Sequence, residues 1–239
     1  VSFRVTARQL VPIVIAGTLL FLQITTFTFG AAWTSSSHAS LFVNTFVFWV
    51  VGLEQVFLKT ERLTTSKAIG LLVAAVGVGA LLGPTSFGAV AQNDPPSVIG
   101  DAMLLFSAFL LGVKFVYTKF ALRVIGPTEL IFWHDVVAVA QFAIAAAVWE
   151  RPDFTQVTVP AAAGLIYQGV LVGGVCFALQ AQLLRQYSAS RIAVFSFLTP
   201  LVGMLLGSWL RGDHLSVALL VGGVAVAGGI YLVNRPDQA

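Results

Sequence analysis

The sequence predicts an all-α polytopic membrane protein. Three observations support this prediction: an apolar composition, eight apolar segments long enough to span a bilayer, and an internal repeat. Of the 239 residues, 58% are apolar and only 10% are charged, whereas soluble domains carry about 25% charged residues. The mean hydropathy of +0.92 agrees. The composition therefore excludes an ordinary soluble domain.

The eight segments are defined by length. A hydrocarbon core about 30 Å thick requires roughly 20 apolar residues in a helix. The segments that meet this length are 10–33, 37–58, 66–83, 99–122, 127–149, 160–184, 190–210 and 215–234. A stretch rich in Pro, Asn and Gly, residues 84–98, separates the third from the fourth, and such residues are typical of loops. We predict that this stretch is an outside linker between two halves, 1–83 and 99–236.

A weak internal repeat relates the two halves. Each copy consists of an apolar span, a short charged turn and a second span rich in Gly and Ala. The identities pair Ser36 with Ser188, Leu53 with Leu205, Leu58 with Leu210, Leu63 with Leu215, Gly70 with Gly222, Ala75 with Ala227 and Gly77 with Gly229. Because the copies are an odd number of spans apart, they must cross the membrane in opposite directions. Inverted repeats of this kind are typical of carriers.

The basic residues predict an orientation, because cytoplasmic loops are enriched in Lys and Arg. If the N-terminal end is cytoplasmic, only Arg151 and Arg211 fall outside, and Lys114 remains within a span. The inside set is Arg4, Arg8, Lys59, Arg62, Lys67, Lys119, Arg123, Arg185, Arg191 and Arg235. We therefore predict a multi-pass protein of the plasma (inner) membrane with a cytoplasmic C-terminus. This distribution explains the formal charge of +3 without nucleic-acid binding, which we do not expect.

The sequence contains no pattern typical of an enzyme. The single cysteine, Cys176, leaves no partner for an intramolecular disulfide and belongs to no metal-ligand motif. The Ser, His and acidic residues do not gather into a catalytic set, and glycines within apolar spans are not a phosphate-binding loop. We expect no catalytic residues, no metal and no cofactor.

Two ionisable residues within spans are the first candidates for a site. Ionisable groups in a bilayer cost about 2.5 to 3.5 kcal/mol each, so each needs a reason. Lys114 and Asp135 are predicted at matching depth on adjacent antiparallel helices, roughly 12 Å from the inner ends. One interpretation is an ion pair that faces a cavity and binds a charged solute group or exchanges a proton. The alternative is a static pair that joins two helices, or a lysine that snorkels inward.

Two further titratable residues have weaker claims. His134 lies beside Trp133 and is either a coupling residue that titrates near neutral pH or a hydrogen-bonded interface histidine. Glu54 is closer to the inner end of its span, near Lys59. It is either a gate or counter-ion for Lys114, or an interfacial carboxylate.

Polar residues at helical spacing predict a cavity lined by several spans. The candidates are Gln23, Asn44, Tyr117, Gln168, Ser196 and Pro200. Pro200 would free a backbone carbonyl within its span. The alternative is that these groups are interhelical hydrogen-bonding residues, worth about 0.6 kcal/mol each.

Small residues four apart mark two other spans, 66–83 and 215–234. Such spacing lets helices pack closely. We predict that these spans serve as scaffold, through packing within the chain or alternatively through contact in a homodimer.

Several short motifs resemble those of the EamA-like branch of the drug/metabolite transporter superfamily. They are Gly100-Asp101, Gly126-Pro127, Ser188-Ala189-Ser190 before Pro200, and Asp213 with Leu215 before Gly222 and Gly228-Gly229. The resemblance implies ten spans in two five-helix inverted repeats. On that basis, residues 1–83 are the last three spans of the first repeat, two more spans are expected before Val1, and 99–236 is a complete second repeat.

The resemblance also implies a function. We expect a secondary carrier that moves a small metabolite or drug-like solute by alternating access, in the direction of export. The alternative is a membrane assembly or scaffold protein with the same fold that does not transport. That alternative predicts that Lys114, Asp135 and Asn44 face lipid or a sealed helix contact.

Overall fold

The computed structural model describes residues 5–34, 36–59, 63–81, 97–149, 157–199, 201–202, 205 and 217–235, and this part of the chain is all-α. Its helices are α1 (Ala7–Ala32), α2 (Ser36–Asn44), α3 (Phe46–Leu53), α4 (Thr65–Leu81), α5 (Val98–Ala121), α6 (Pro127–Trp149), α7 (Val159–Ile166), α8 (Phe177–Gln186), α9 (Ala189–Ala193) and α10 (Val217–Asn234). The π-helical turns of Glu54–Leu58 extend α3, and those of Tyr167–Cys176 join α7 to α8. A 3-10 turn, Val194–Phe197, follows α9.

Within the described residues, five helices are long and apolar enough to cross a membrane. They are Ala7–Ala32, Ala39–Leu58, Val98–Ala121, Pro127–Trp149 and Val159–Gln186, and two shorter apolar helices are Thr65–Gly79 and Val221–Asn234. The all-α class predicted from the sequence is therefore confirmed for this part of the chain. The count of eight spans and the inverted repeat stay predictions. Most of the 84–98 linker and most of residues 200–216, including Pro200, lie outside the described residues.

Helix α1 packs between α5 and α6, and α5 also contacts α2, α3 and α8. Glycines let the backbones approach at these crossings. A Cβ built on Gly17 would lie 2.7 Å from the Cβ of Val137, and one on Gly30 would lie 3.1 Å from the carbonyl oxygen of Gly100. Side chains larger than hydrogen therefore do not fit at either crossing without movement.

Helices α4 and α10 form the most extensive helix pair of the described structure. A Cβ built on Gly229 would lie 2.5 Å from the carbonyl oxygen of Gly70, and one on Gly77 would lie 2.9 Å from that of Gly222. The small residues of the two spans thus face each other within one chain, the close approach that such residues permit. A homodimer through these spans stays a prediction, and it would use other faces, where Val76 and Val224 are exposed.

The regular α-helical hydrogen bonding of the second span is interrupted at Thr45, between α2 and α3. The backbone N–H and side-chain hydroxyl of Thr45 both donate to the carbonyl of Phe42, at 3.1 and 2.6 Å. One residue earlier, Asn44 Nδ2 donates to the carbonyl of Ser40 at 2.7 Å. Thr45 keeps helical dihedral angles, and Ala39–Leu58 continues as one apolar helix. The two side chains add hydrogen bonds to carbonyls of this turn.

Candidate functional site

Lys114 lies on α5 with its side chain almost fully covered. Lys114 is 7% exposed, and its Nζ lies 4.5 Å from the ring centroid of Phe177 on α8. An ammonium over an aromatic face gains a cation–π attraction. This contact is not a hydrogen bond. Within the described residues, the ammonium of Lys114 contacts neither a hydrogen-bond acceptor nor a carboxylate. Its N–H groups therefore have no protein acceptor in this part of the chain.

His134 lies on α6, near the same ring. It is 1% exposed, and its ring centroid is 6.5 Å from that of Phe177. Its Nδ1 lies 2.6 Å from the carbonyl oxygen of Ile131. Because a carbonyl only accepts, Nδ1 carries a hydrogen, and in the neutral imidazole Nε2 then carries the lone pair. Nε2 is buried and has no hydrogen-bond partner among the described residues.

Asp135 completes the cluster at its rim. Its side chain is 33% exposed, and Oδ1 is 3.5 Å from His134 Nδ1, longer than a hydrogen bond. Opposite charge attracts Asp135 to Lys114, but the two are not within salt-bridge distance. Asp135 also lines an open groove of about 590 Å³ between α6 and the segment that leads into α8, together with Thr128, Ile131, Phe132, Val136, Val139, Ala140, Gly174 and Ala178.

Glu54 lies away from this cluster. It is in the π-helical turn after α3 and contacts the N-terminus of α9. It is 1% exposed, and its two carboxylate oxygens accept from the backbone N–H groups of Ala189 and Ser190 at 2.8 and 2.7 Å. A carboxylate at a helix N-terminus satisfies amides that have no partner within the helix. The position fits the interfacial-carboxylate interpretation, and its role in transport stays a prediction.

Gln23 and Asn44 form hydrogen bonds between or within helices. Gln23 Nε2 donates to Ser107 Oγ at 3.3 Å, and that hydroxyl donates to the carbonyl of Gln23 at 2.9 Å. These bonds join α1 to α5. Asn44 uses its amide on the carbonyl of Ser40 in its own helix.

The remaining predicted residues lie apart from the cluster or outside the described chain. Tyr117 follows Lys114 by one helical turn but lines a different groove of about 430 Å³, between α3 and α5. Gln168 is exposed on the π-helical segment, Ser196 is half-buried in the 3-10 turn, and Pro200 is not described. The structure thus brings Lys114, His134 and Asp135 together and places the other candidates at separate positions.

Two residues of the site region were not predicted. Phe177 is one of 19 phenylalanines, and nothing local marks it as the ring beneath a buried lysine. Lys119 was assigned only to the inside set of bases, yet its Nζ donates to the carbonyls of Leu184, at 2.9 Å, and Tyr187 at the end of α8. Both contacts depend on the pairing of α5 with α8, which the sequence does not reveal.

The fold and its covered polar cluster define a helical membrane protein with ionisable groups inside its spans. The chain belongs to the EamA-like transporter family, whose model matches residues 98–235, more than half of the chain. It is accordingly a multi-pass membrane transporter of the drug/metabolite superfamily, as the sequence motifs predicted.

Relatives with curated names agree with this class. The chain is 21% identical over 206 residues to an uncharacterized transporter, YoaV, of Bacillus subtilis, covering 86% of this chain and 68% of that protein. It is 24% identical over 213 residues to an uncharacterized transporter of Archaeoglobus fulgidus, covering 86% and 70%. It is 23% identical over 202 residues to a probable amino-acid metabolite efflux pump of Salmonella typhimurium, covering 81% and 66%.

A solved crystal structure supports the fold. Its chain superposes on this one with a TM-score of 0.81 at 20% sequence identity, covering 93% of this chain and 76% of that one. At this level of identity the likeness concerns the fold alone.

Proposed function

We propose that this transporter is a secondary carrier that moves a small metabolite or drug-like solute out of the cell by alternating access. The observation that supports it most directly is the covered cluster of Lys114 and His134 between α5, α6 and α8. Ionisable groups inside spans are costly, and in transporters they mark solute and ion pathways. The covered position of Lys114 is also the one that the non-transporting alternative predicts. A purely structural role would, however, favour satisfied partners, which Lys114 Nζ and His134 Nε2 lack among the described residues.

The proposed solute path begins at the open groove that Asp135 lines. The lining of this groove that the structure describes is apolar apart from Asp135 and Thr128, so Asp135 is the one ionisable group of that lining. Asp135 is partly exposed, whereas Lys114 and His134 are covered. A solute would therefore meet the carboxylate first and reach the ammonium and imidazole after α6 and α8 separate.

The proposed arrangement of the chain follows from its basic residues and its repeat. Halves 1–83 and 99–236, joined by an outside linker at 84–98, would thread the bilayer in opposite senses, with the C-terminus in the cytoplasm of a plasma (inner) membrane. Export is the proposed direction. The efflux pump of Salmonella typhimurium among the relatives is named for amino-acid metabolites, which makes these solutes the first to assay.

The test is solute flux in proteoliposomes. The protein is reconstituted, and the movement of radiolabelled amino-acid metabolites and of a panel of amphiphilic amines is compared with that in protein-free vesicles. We expect at least one solute to move, and we expect Asp135→Asn to reduce its rate at least tenfold. Lys59→Gln, at an exposed position, serves as the matched control and should leave flux unchanged. Absence of flux for every solute would contradict the proposal.

A further inference from the structure

We propose that an anionic phospholipid binds in an open groove at the end of the bundle where α8 and α10 end and α9 begins. The groove measures about 480 Å³, and its described lining is Leu183, Tyr187, Arg191, Ile192, Phe195 and Asn234. The phosphate of the lipid meets Arg191, and one acyl chain lies along the apolar residues. This site is separate from the cluster around Phe177 and goes beyond the proposed transport of a solute.

The first step concerns the depth of the groove in the membrane. Helix α8 ends at Gln186, α10 ends at Asn234, and α9 begins at Ala189 after a short turn. Tyr187 lies in this turn and is 48% exposed. Tyrosine is enriched at the level of the lipid head groups. The groove therefore lies where the end of a span meets the head groups.

The second step concerns the polar part of the lining. Arg191 has five N–H donors in a planar fork that matches a phosphate, so it can bind one in addition to contacts within the protein. Asn234 donates one amide N–H to the carbonyl of Ile230 at 3.0 Å, and its second N–H has no acceptor among the described residues. The described lining includes no acidic residue. Glu54, beside the same turn, is 1% exposed and accepts from backbone amides with both oxygens. The groove is thus complementary to an anion.

The third step distinguishes a lipid from a soluble anion. Leu183 and Phe195 line the same groove as Arg191 and are 44% and 48% exposed. A basic group at the end of the spans, with an apolar wall beside it, matches the head group and chain of a phospholipid. Basic pockets between helices on the cytoplasmic side of a membrane bind anionic head groups, and this end of the bundle is the predicted cytoplasmic face.

The experiment measures lipid binding by the purified protein in a neutral detergent. Its thermal unfolding is titrated with dioleoyl phosphatidylglycerol and with dioleoyl phosphatidylcholine, which has the same chains and no net charge. A third probe, glycerophosphoglycerol, has the anionic head group without chains. We expect phosphatidylglycerol to bind about tenfold more tightly than phosphatidylcholine, the order expected of one hydrogen bond to a charged group. Glycerophosphoglycerol should not stabilise the protein at the same concentrations.

Variants assign this preference to the groove. Arg191→Gln should abolish the preference for phosphatidylglycerol over phosphatidylcholine. Arg8→Gln removes an exposed arginine of the same predicted face, on α1, and serves as the matched control that should keep the preference. Leu183→Trp fills the groove and leaves Arg191 in place. It should weaken the binding of phosphatidylglycerol by about fivefold or more, the effect of a side chain too large for its space, and it tests the site even where Arg191→Gln does not fold.

Four outcomes would overturn the proposal. The first is equal binding of the two lipids, and the second is unchanged lipid binding in Leu183→Trp. The third is an equal loss of preference in Arg191→Gln and Arg8→Gln, which would assign it to the overall charge of this face. The fourth is stabilisation by glycerophosphoglycerol as strong as that by phosphatidylglycerol, which would make the groove a site for a soluble anion.

The result is independent of the proposed transport. If the protein moves a solute in proteoliposomes but shows no lipid preference, the carrier function stands and this proposal fails. If it shows the preference and its dependence on Arg191 but moves no solute, the lipid site stands and the carrier function fails.

Discussion

Two lysines on the same helix differ in how the protein treats their charge. Lys119, near the end of α5, donates to the carbonyls of Leu184 and Tyr187 at the end of α8. Lys114, five residues earlier, lies over Phe177 and has no acceptor among the described residues. Cations near a helix C-terminus complement its partial negative charge, so Lys119 stabilises the fold, whereas Lys114 is left able to bind a further group.

The acidic residues divide in the same way. Glu54 is covered, and both of its oxygens accept from backbone amides of α9. Asp135 is one-third exposed and lies 3.5 Å from His134 Nδ1. Hydrogen bonds from Lys119 and to Glu54 therefore stabilise the turn between α8 and α9. In the cluster around Phe177, by contrast, Lys114 Nζ and His134 Nε2 have no hydrogen-bond partner among the described residues. Buried charges identify a candidate site here only when their partners are counted as well.

The largest expected effect is the loss of stability in Glu54→Ala. The change would leave the amides of Ala189 and Ser190 without their acceptors, which are the two carboxylate oxygens of Glu54. Each hydrogen bond to a charged group contributes about 1.5 to 3 kcal/mol, so the free energy of unfolding should fall by about 3 kcal/mol or more. Titration with SDS in mixed micelles measures this quantity.

Two variants control that measurement. Glu54→Gln keeps one acceptor oxygen and should recover about half of the loss. Asp135→Asn should change stability by less than about 1 kcal/mol, because its carboxylate is partly exposed and makes no hydrogen bond with the described residues. Equal losses for Glu54→Ala and Asp135→Asn would remove the distinction between the two acids.

The second prediction compares the two lysines directly. Lys119→Met removes bonds to the carbonyls of Leu184 and Tyr187, and should lower the free energy of unfolding by about 1.5 to 3 kcal/mol. Lys114→Met removes an ammonium without a described acceptor, so stability should stay the same or rise. The reason is that a charge within a span costs about 2.5 to 3.5 kcal/mol.

The same titration and thermal unfolding of both variants test this contrast. A loss in Lys114→Met as large as that in Lys119→Met would show that Lys114 is a structural residue. Methionine is a suitable replacement in both cases because it is unbranched and adapts to the space left by a lysine stem.

Much of the fold could be predicted because its signal is local. Apolar length alone located α1, α5 and α6 to within a few residues of their observed bounds. The break at Thr45 was not predicted. The sequence there is apolar on both sides, and the side chains of Asn44 and Thr45 bond to carbonyls of their own helix.

The site could be predicted only in part, for a physical reason. Lys114 and Asp135 stand out because ionisable residues are rare in apolar spans, and helical rise alone gave them similar depth. The spacing of residues does not show which helices pack together. The sequence therefore predicted neither the contact of Phe177 with Lys114 nor the hydrogen bonds from backbone amides to Glu54. The orphaned Nε2 of His134 likewise becomes visible only once its Nδ1 partner is known.

The smallest expected effect concerns the pair that joins α1 to α5. Gln23→Leu removes the bond from Nε2 to Ser107 Oγ and should cost about 0.6 kcal/mol, typical of such bonds within membranes. Ser107→Ala removes a second bond as well, from its hydroxyl to the carbonyl of Gln23, and should cost roughly twice as much. A double-mutant cycle should give a coupling of about 0.6 kcal/mol, and solute binding should be unchanged in all three variants. If Gln23→Leu instead weakened solute binding while leaving stability intact, Gln23 would belong with Lys114 and His134 as a solute-binding residue. The division between satisfied and unsatisfied groups would then not identify the site.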